Sequence, residues 1–421
     1  MNFKQLSHQR FRAIASLTRD PLYRNSFFMA LCNVFNAGCG FFFWMIAARL
    51  YSVEQVGLAT ALISSLGLVI LFSRFGFDSS VIRFFNSEDR GKIISTSLIV
   101  TTSACVISVV IFILLAEMIA PSMLFLKEQK YAFAFLLIGL VNSVAAIIGN
   151  AFVADRKADH YFLQNIFMAL RIPALVPLAF LGVFGIFGSV GLGYLIASLF
   201  GLLILHKSIA EIRLIVDWEF IRKSFRFSFW NYVSSILTTA PGLIIPLMVL
   251  SMFGEAEAAR YYIAFAIGNL VLYIPQSLGT SLFVEGSHGE GLKRSALRAA
   301  AASLVLLVPS VLILLVFGDR LLGLLKGDYI EAFDLLRIIA LSSFLVTVYS
   351  LFVPIQNVRM RVERIVMLNF FRFILLLGLS YLLMQLYGII GAGYAWIISY
   401  GIIALIIGWF AWMDIVKNQT I

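Results

Sequence analysis

Continuous apolar runs of about 20 residues recur along the whole chain, and they constrain the fold more than any other feature. A helix of about 20 apolar residues crosses the hydrocarbon core of a bilayer. Hydrophobic residues make up 61% of the 421 positions and charged residues only 13%, which is more apolar surface than a soluble core could bury. Because the runs are continuous, without strict alternation, they disfavour a transmembrane β-barrel. The sequence therefore predicts an all-α polytopic membrane protein.

Twelve membrane spans are predicted, joined by short connections. They cover 25–50, 55–80, 93–120, 131–154, 162–184, 189–209, 226–252, 259–283, 295–317, 333–353, 365–386 and 389–413. The spans divide the chain into a basic head (1–24), a first six-helix bundle (25–210), a linker (211–225), a second six-helix bundle (226–413) and a tail (414–421).

The distribution of basic residues predicts the orientation. If the amino terminus is cytoplasmic, 22 of the 32 Lys and Arg residues fall on the cytoplasmic side, six on the outer side and four inside spans. This asymmetry favours two cytoplasmic termini in a multi-pass protein of the cell (inner or cytoplasmic) membrane. The net charge of +10 then reflects topology and contact with anionic membrane lipids, and it does not indicate a nucleic-acid partner.

The second half of the chain repeats the first about 200 residues later. Gly40 matches Gly242, and Gly185-Ile186 recurs as Gly388-Ile389. Arg156 precedes Gly185 by 29 positions, and Arg359 precedes Gly388 by the same number (185 − 156; 388 − 359). Internal repeats of this size are typical of membrane transporters. Since each half is expected to start inside and cross six times, the repeat axis should run along the membrane normal, with a cleft between the halves.

The chain carries no pattern that indicates an enzyme. Cys32, Cys39 and Cys105 lack metal-ligand spacing, and the glycine-rich stretch 286–295 fails as a phosphate loop because Leu292 follows Gly291. We therefore expect a transporter with no catalytic residues, metal or cofactor. A membrane-embedded glycosyl- or acyltransferase is a distant alternative, which the short outer loops disfavour.

Charged residues inside predicted spans are the first candidates for function, because each costs about 2.5–3.5 kcal/mol near the bilayer centre. Arg74 stands late in the second span, with Asp78 at i+4 on the same expected helix face and Arg83 farther on. These residues could form a cationic site at the inner mouth of a cavity, with Asp78 available for ion coupling. Alternatively, Arg74 and Asp78 form a local ion pair.

Arg171 and Arg372 form a second candidate set. They are 201 positions apart, and each falls about nine residues into an outward-running helix (372 − 171 = 201). Two arginines at matched depth would face each other across the repeat axis and bind an anion. The alternative is that both side chains extend to the cytoplasmic headgroups.

The first helices of both repeats carry polar residues. Arg24 precedes the first span, which contains Asn33 and Asn36, and the matching seventh span contains Asn231. These amides could line a cavity, with Arg24 as a further cation, or they could make hydrogen bonds between helices. The surplus of arginine over carboxylate in the spans favours an anionic substrate, since the planar guanidinium fork suits a diphosphate.

Several motifs resemble polysaccharide biosynthesis/export proteins, the O-antigen and capsule flippase family. The stretch 25–84 begins with an aromatic-rich helix, continues through Ala48-Arg49 to Gly57, and ends with Gly76 through Ile82-Arg83. The paired turns read FGIFG and YGIIGAGYA, at 184–188 and 387–395.

The resemblance implies two pseudo-symmetric six-helix bundles, as in the multidrug (MATE) transporters of the same superfamily, working by alternating access. It also implies the function, which is translocation of a polyprenyl-diphosphate-linked oligosaccharide to the outer leaflet for O-antigen, capsule or other surface polysaccharide. Membrane lipids and the polysaccharide polymerase and chain-length machinery are the implied partners of an expected monomer. An ion-coupled drug or metabolite antiporter of the same fold is the main alternative, although the scarcity of membrane carboxylates disfavours it.

Overall fold

The computed structural model describes residues 21–86, 89–208, 215–287 and 291–419, and these residues form helices and short connections without a β-strand. The α-helices are α1 (Pro21–Leu50), α2 (Val53–Ser73), α3 (Phe77–Phe84), α4 (Arg90–Ile119), α5 (Gln129–Ala154), α6 (Ala158–Met168), α7 (Arg171–Ala174), α8 (Val183–Ser208), α9 (Trp218–Phe253), α10 (Glu255–Ser287), α11 (Leu292–Gly323), α12 (Phe333–Val358), α13 (Val362–Tyr387) and α14 (Ile390–Gln419). Three 3-10 segments cover Pro121–Lys127, Ala179–Leu181 and Gly327–Ala332.

Some regions predicted from the sequence lie outside the described residues. They are 1–20 of the basic head, part of the linker, the centre of the glycine-rich stretch and the last two residues of the tail.

Eleven of the described helices are long and apolar enough to cross a membrane, which confirms the all-α polytopic fold class. The prediction of a continuous helix over 162–184 is wrong. That segment consists of α6, α7 and the 3-10 segment Ala179–Leu181, ending at Gly182 with a φ of 58°. The predicted second span, 55–80, is also interrupted, because α2 ends at Ser73 and α3 begins at Phe77.

Side-chain caps set several helix starts. Before α2, the Gln55 amide donates to Ser52 Oγ (3.2 Å) and the Ser52 amide donates to Gln55 Oε1 (3.1 Å), a reciprocal capping box. Asp89 Oδ1 accepts from backbone amides at the start of α4, and Asp217 Oδ1 accepts from the Phe220 amide of α9 at 3.0 Å. These carboxylates sit at the positively polarised helix ends, where negative charge stabilises the helix.

The chain divides into two compact units. Unit 1 comprises Met1–Ile46, Val69–Ala116 and Phe125–Val233. Unit 2 comprises Ala47–Leu68, Glu117–Leu124 and Ser234–Ile421. The division into bundles at 25–210 and 226–413 rests on the repeat alone and stays a prediction.

Unit 1 is held together by small residues and a buried aromatic cluster. A Cβ atom on Gly191 of α8 would lie 2.6 Å from Ile138 of α5, so glycine allows these helices to approach closely. Ser198 Oγ of α8 also donates to the Val141 carbonyl of α5 at 2.8 Å. The core beside them contains Phe77, Val81, Phe85, Ile93, Ile94, Ile147, Ile148, Ala151, Phe152, Ala154, Leu205 and Phe220.

Unit 2 packs mainly through α10, α12 and their neighbours. A Cβ atom on Gly279 of α10 would lie 2.4 Å from the Ser350 carbonyl oxygen of α12. The segment Ala47–Leu68 belongs to this unit through similarly close contacts: a Cβ atom on Gly57 would lie 1.7 Å from the Glu255 carbonyl oxygen. The motif glycine at 57 therefore permits a backbone approach that no other residue allows.

Candidate functional site

The break between α2 and α3 positions the first pair of candidate residues in unit 1. Phe75 (φ 45°) and Gly76 (φ 76°) both adopt left-handed backbone conformations, so Arg74 and Asp78 do not share one continuous helix face as predicted. They still approach each other, with Arg74 Nη1 3.9 Å from Asp78 Oδ2. The two groups form a long ion pair, so the carboxylate neutralises the guanidinium only in part.

Arg74 keeps unused hydrogen-bonding capacity. Its Nε is buried and has no hydrogen-bond partner in the described part of the chain. Arg74 can therefore donate a further hydrogen bond.

Arg171 stands at the start of α7, just after α6 ends at Met168. A Cβ atom on Gly193 of α8 would lie 2.6 Å from the Met168 carbonyl oxygen and 3.0 Å from Arg171 Cβ. Glycine at 193 thus lets α8 pack directly against this break and supports the stem of the arginine.

The guanidinium of Arg171 has an aromatic neighbour but no acid. Its central carbon lies 5.4 Å from the centroid of the Phe43 ring on α1, a cation–π geometry. Its Nε is buried without a hydrogen-bond partner among the described residues, and none of their carboxylates forms an ion pair with it. An arginine in this state can donate to an incoming anion without first breaking a salt bridge.

Asparagines connect α1 to α6. Asn36 Nδ2 donates to Asn165 Oδ1 (2.9 Å) and approaches Cys32 Sγ (3.4 Å), while Asn165 Nδ2 donates to the Tyr161 carbonyl at 2.7 Å. This hydrogen bond agrees with the interpretation that Asn36 joins two helices. Asn33 is exposed on α1.

Sequence reasoning missed Asn165. The adjacent amides Gln164 and Asn165 interrupt an apolar stretch, which is the signal that could have identified them. Both are buried, and Gln164 Nε2 donates to the Ala145 carbonyl at 3.0 Å. Buried amides of this kind fix how helices pack in a membrane.

Arg24 forms an ion pair with Asp159 at the start of α6. The neighbouring Asn25 Oδ1 accepts from the Ala158 amide at 3.1 Å, so this end of α1 caps α6. Burial of the Asp159 carboxyl raises its pKa, but hydrogen bonds from His160 and Arg24 outweigh burial and hold the pKa of Asp159 below its ordinary value. Arg24 is therefore partly neutralised where the sequence suggested a free cation.

Arg83 and Asn231 lie near Phe227 in unit 1. The Arg83 guanidinium is exposed and lies 4.9 Å from the centroid of the Phe227 ring. Asn231 Nδ2 donates to the Phe227 carbonyl of its own helix at 2.8 Å. Arg83 keeps its charge accessible, whereas Asn231 spends its amide donor on the backbone.

Arg372 has a different environment in unit 2. It is only 8% exposed, and its guanidinium stacks over Tyr349 at 5.0 Å. Its Nη atoms donate to the Tyr400 hydroxyl (3.4 Å) and to the Thr238 carbonyl (3.3 Å). The Arg372 guanidinium therefore makes hydrogen bonds within unit 2, whereas the Arg171 guanidinium makes none with the described residues.

Two matching turns give the register of the internal repeat. In unit 1 the Lys157 amide donates to the Phe152 carbonyl at 2.9 Å, and in unit 2 the Arg361 amide donates to the Gln356 carbonyl at 2.9 Å. The residue before each donor, Arg156 or Met360, has a φ of 57°. The local offset of the repeat is thus 204 (360 − 156).

This register alters the expected pairing of arginines. Arg156 corresponds to Met360, one position beyond the predicted Arg359. Arg171 lies 15 positions after Arg156, and Arg372 lies 12 positions after Met360 (171 − 156; 372 − 360). The two arginines therefore differ by nearly one helical turn in their distance from the equivalent turn. That they face each other across a repeat axis stays a prediction.

The cations of unit 1 thus fall into two classes. Arg24 is paired with a carboxylate, whereas Arg171, Arg83 and, in large part, Arg74 keep donors available. The described residues contain no group of three or more His, Cys, Asp or Glu that could hold a metal ion. Arginine donors in apolar, aromatic surroundings suit recognition of a phosphate or diphosphate carried on a lipid.

Comparison with known sequences confirms the resemblance that the motifs indicated. A family model described as "Polysaccharide biosynthesis protein" matches residues 22–283, a range that includes Arg74 and Arg171. An uncharacterized membrane protein of Methanocaldococcus jannaschii is 23% identical over 418 residues, covering 94% of this chain and 99% of that protein.

Comparison with solved structures confirms the fold. A multidrug resistance MATE family transporter of the MOP superfamily, in an inward-facing conformation, aligns with a TM-score of 0.68 at 15% identity, covering 92% of this chain and 96% of that one. The lipid II flippase MurJ, in an inward closed conformation, aligns with a TM-score of 0.70 at 14% identity, covering 91% and 87%. The chain has the fold that these transporters and flippases share.

Proposed function

Because the chain belongs to the polysaccharide biosynthesis protein family, we propose that it translocates a polyprenyl-diphosphate-linked oligosaccharide from the cytoplasmic to the outer leaflet of the cell membrane. The protein is a multi-pass membrane transporter or flippase of the MOP superfamily fold.

The state of Arg171 carries the proposal. Its guanidinium is not neutralised by any described carboxylate, and one face is covered by Phe43. Keeping such a charge within a membrane costs free energy, so residues of this kind usually bind a substrate or line its path. A diphosphate supplies the compensating negative charge and accepts two parallel hydrogen bonds from the guanidinium fork.

Arg74 and Arg83 are proposed as further contacts for the anionic headgroup. Arg74 retains an unpaired Nε, and Arg83 presents an exposed guanidinium over Phe227. Phe227 beside Arg83 and Phe43 beside Arg171 offer apolar surface, which suits an amphiphile with a long apolar tail. The product would enter surface polysaccharide synthesis, where polymerase and chain-length proteins are the proposed partners.

Ligand binding to the purified full chain tests the substrate class. We expect a synthetic polyprenyl-diphosphate disaccharide to raise the apparent unfolding temperature in detergent. The corresponding monophosphate should bind at least tenfold more weakly, because it lacks one of the two phosphoryl acceptors; tenfold equals about 1.4 kcal/mol. A cationic drug is the comparison ligand. Stabilisation by the drug but not by the diphosphate would favour an antiporter and exclude the proposed substrate.

A further inference from the structure

The turn between α12 and α13 collects positive charge at one end of unit 2. Its hydrogen bonds, Met360 amide to Asn357 carbonyl and Arg361 amide to Gln356 carbonyl, bring Arg359 and Arg361 to the same side as Arg364 in the first turn of α13. The sequence assigns this end to the cytoplasmic side.

Three guanidinium groups share one carboxylate there, that of Asp414 on α14. Arg364 binds it through both Nη atoms (2.9 and 3.0 Å), Arg361 Nη1 contacts both carboxylate oxygens (2.8 and 2.6 Å), and Arg359 Nη1 contacts one of them (3.2 Å). Three positive charges against one leave an excess of two. The exposed Glu363 of the same turn reduces the excess to one and does not remove it.

Two of these arginines keep donors for a ligand. The side chains of Arg359 and Arg361 are 46% and 45% exposed. Each uses only Nη1 on Asp414, so Nε and Nη2 of both have no hydrogen-bond partner among the residues that the structure describes. Two adjacent guanidinium forks with free donors match the oxygens of a phosphate.

The surroundings of the cluster favour a phosphate carried by a lipid. Trp409 and Trp412, on the last turns of α14, are 56% and 60% exposed, and Met360 at the tip of the turn is 83% exposed. Exposed tryptophans near the end of a membrane helix are typical of the headgroup region of a bilayer. Arg364 lies under this surface, stacked at 4.9 Å on the buried Phe410 ring, and holds the cluster in place.

The equivalent turn of unit 1 arranges its charges differently. Asp155 occupies the position that corresponds to Arg359, and it binds Arg90 and Lys157, both at 2.8 Å. Among the described residues, three arginines that share one carboxylate are therefore found at the second turn and not at the first, although the backbone geometry of the two turns is the same.

We propose that Arg359 and Arg361, supported by Arg364 and Asp414, bind the headgroup of an anionic phospholipid of the cytoplasmic leaflet. This lipid site contains none of the residues proposed to bind the transported substrate. A lipid bound there would bridge α12, α13 and α14 and so stabilise unit 2.

Lipid binding to the full chain in detergent tests the site. Phosphatidylglycerol should raise the apparent unfolding temperature of the wild type, whereas phosphatidylcholine and millimolar inorganic phosphate should not. The double variant Arg359→Gln/Arg361→Gln should bind phosphatidylglycerol at least tenfold more weakly, since it loses charge-assisted hydrogen bonds to the phosphate. The matched control, Arg320→Gln/Arg337→Gln, removes two arginines that stack on phenylalanine elsewhere in unit 2 and should bind like the wild type.

A second variant separates loss of binding from loss of folding. Arg359→Lys/Arg361→Lys keeps the charge and should retain weaker but measurable lipid binding. Wild-type affinity in the glutamine variant would overturn the proposal, as would equal stabilisation by inorganic phosphate, which would show an anion site without lipid selectivity. Loss of phosphatidylglycerol binding in both the glutamine variant and the control would also contradict it.

Discussion

Arg171→Gln should reduce translocation of a lipid-linked oligosaccharide at least tenfold while leaving the apparent unfolding temperature close to that of the wild type. The guanidinium makes no hydrogen bond or ion pair with the described residues, so its removal forfeits mainly the stacking on Phe43, worth about 0.5–2 kcal/mol. In the substrate complex the same change removes charge-assisted hydrogen bonds of about 1.5–3 kcal/mol each. Transport in reconstituted vesicles and thermal unfolding in detergent measure the two effects.

Arg337→Gln and Arg372→Gln are the informative comparisons for this variant. Arg337 stacks on Phe333 at 5.2 Å but is half exposed, so its replacement should change neither transport nor stability. Arg372 holds Tyr400, Tyr349 and the Thr238 carbonyl, so its replacement should lower the unfolding temperature. Arg171→Lys should restore part of the transport, because it keeps charge but loses the bidentate fork. Wild-type transport by Arg171→Gln would remove Arg171 from the proposed site.

Gly76→Ala should prevent correct folding of unit 1. Gly76 has a φ of 76°, and a left-handed conformation costs alanine about 1–2 kcal/mol. A Cβ atom there would also lie 2.0 Å from the Ser228 carbonyl oxygen, a contact with backbone that no rotamer change can relieve. The hydroxyls of Ser80 and Ser228, 2.5 Å apart, mark how closely α3 and α9 pack at this point. We expect most of the variant to aggregate in detergent.

Gly188→Ala is the matched control for this substitution. Gly188 lies in α8 of the same unit, and a Cβ atom there would meet no heavy atom of the described residues within 4 Å, apart from the adjoining backbone of its own helix. Alanine favours a helix over glycine by about 1 kcal/mol, so this variant should be as monodisperse as the wild type on size-exclusion chromatography. If Gly76→Ala eluted as a monodisperse peak with an unchanged unfolding temperature, the close contact between α3 and α9 would be wrong.

The span pattern could be predicted from the sequence because the cost of exposing peptide groups to lipid permits few alternatives to helix. The breaks within the predicted spans could not be predicted in the same way. Gly76 was visible as a motif residue, but hydropathy alone does not distinguish a continuous helix over 55–80 from two helices that meet at left-handed residues. The fifth predicted span, 162–184, failed for the same reason, since its apolar sequence continues through the end of α6.

The residue type at the candidate site could be predicted, but the partner of each arginine could not. Arginine without enough carboxylate identified Arg171 and Arg74, and the structure leaves donors of both without partners. The state of Arg24 depends on Asp159, 135 positions away, and no local pattern indicates that contact. Arg171 and Arg372 were matched because they are 201 positions apart. The equivalent turns at Arg156 and Met360 are 204 positions apart, and the sequence alone does not show this difference.

Transbilayer movement of a labelled polyprenyl-diphosphate oligosaccharide in vesicles containing the purified chain tests the central claim most directly. The fraction of label accessible to an impermeant reagent is followed with and without an imposed membrane potential. The account predicts that label moves between leaflets in vesicles with the wild type, and much more slowly with Arg171→Gln. Label that stays in its original leaflet in the presence of folded wild-type protein, while a cationic drug is carried across the same vesicles, would contradict it.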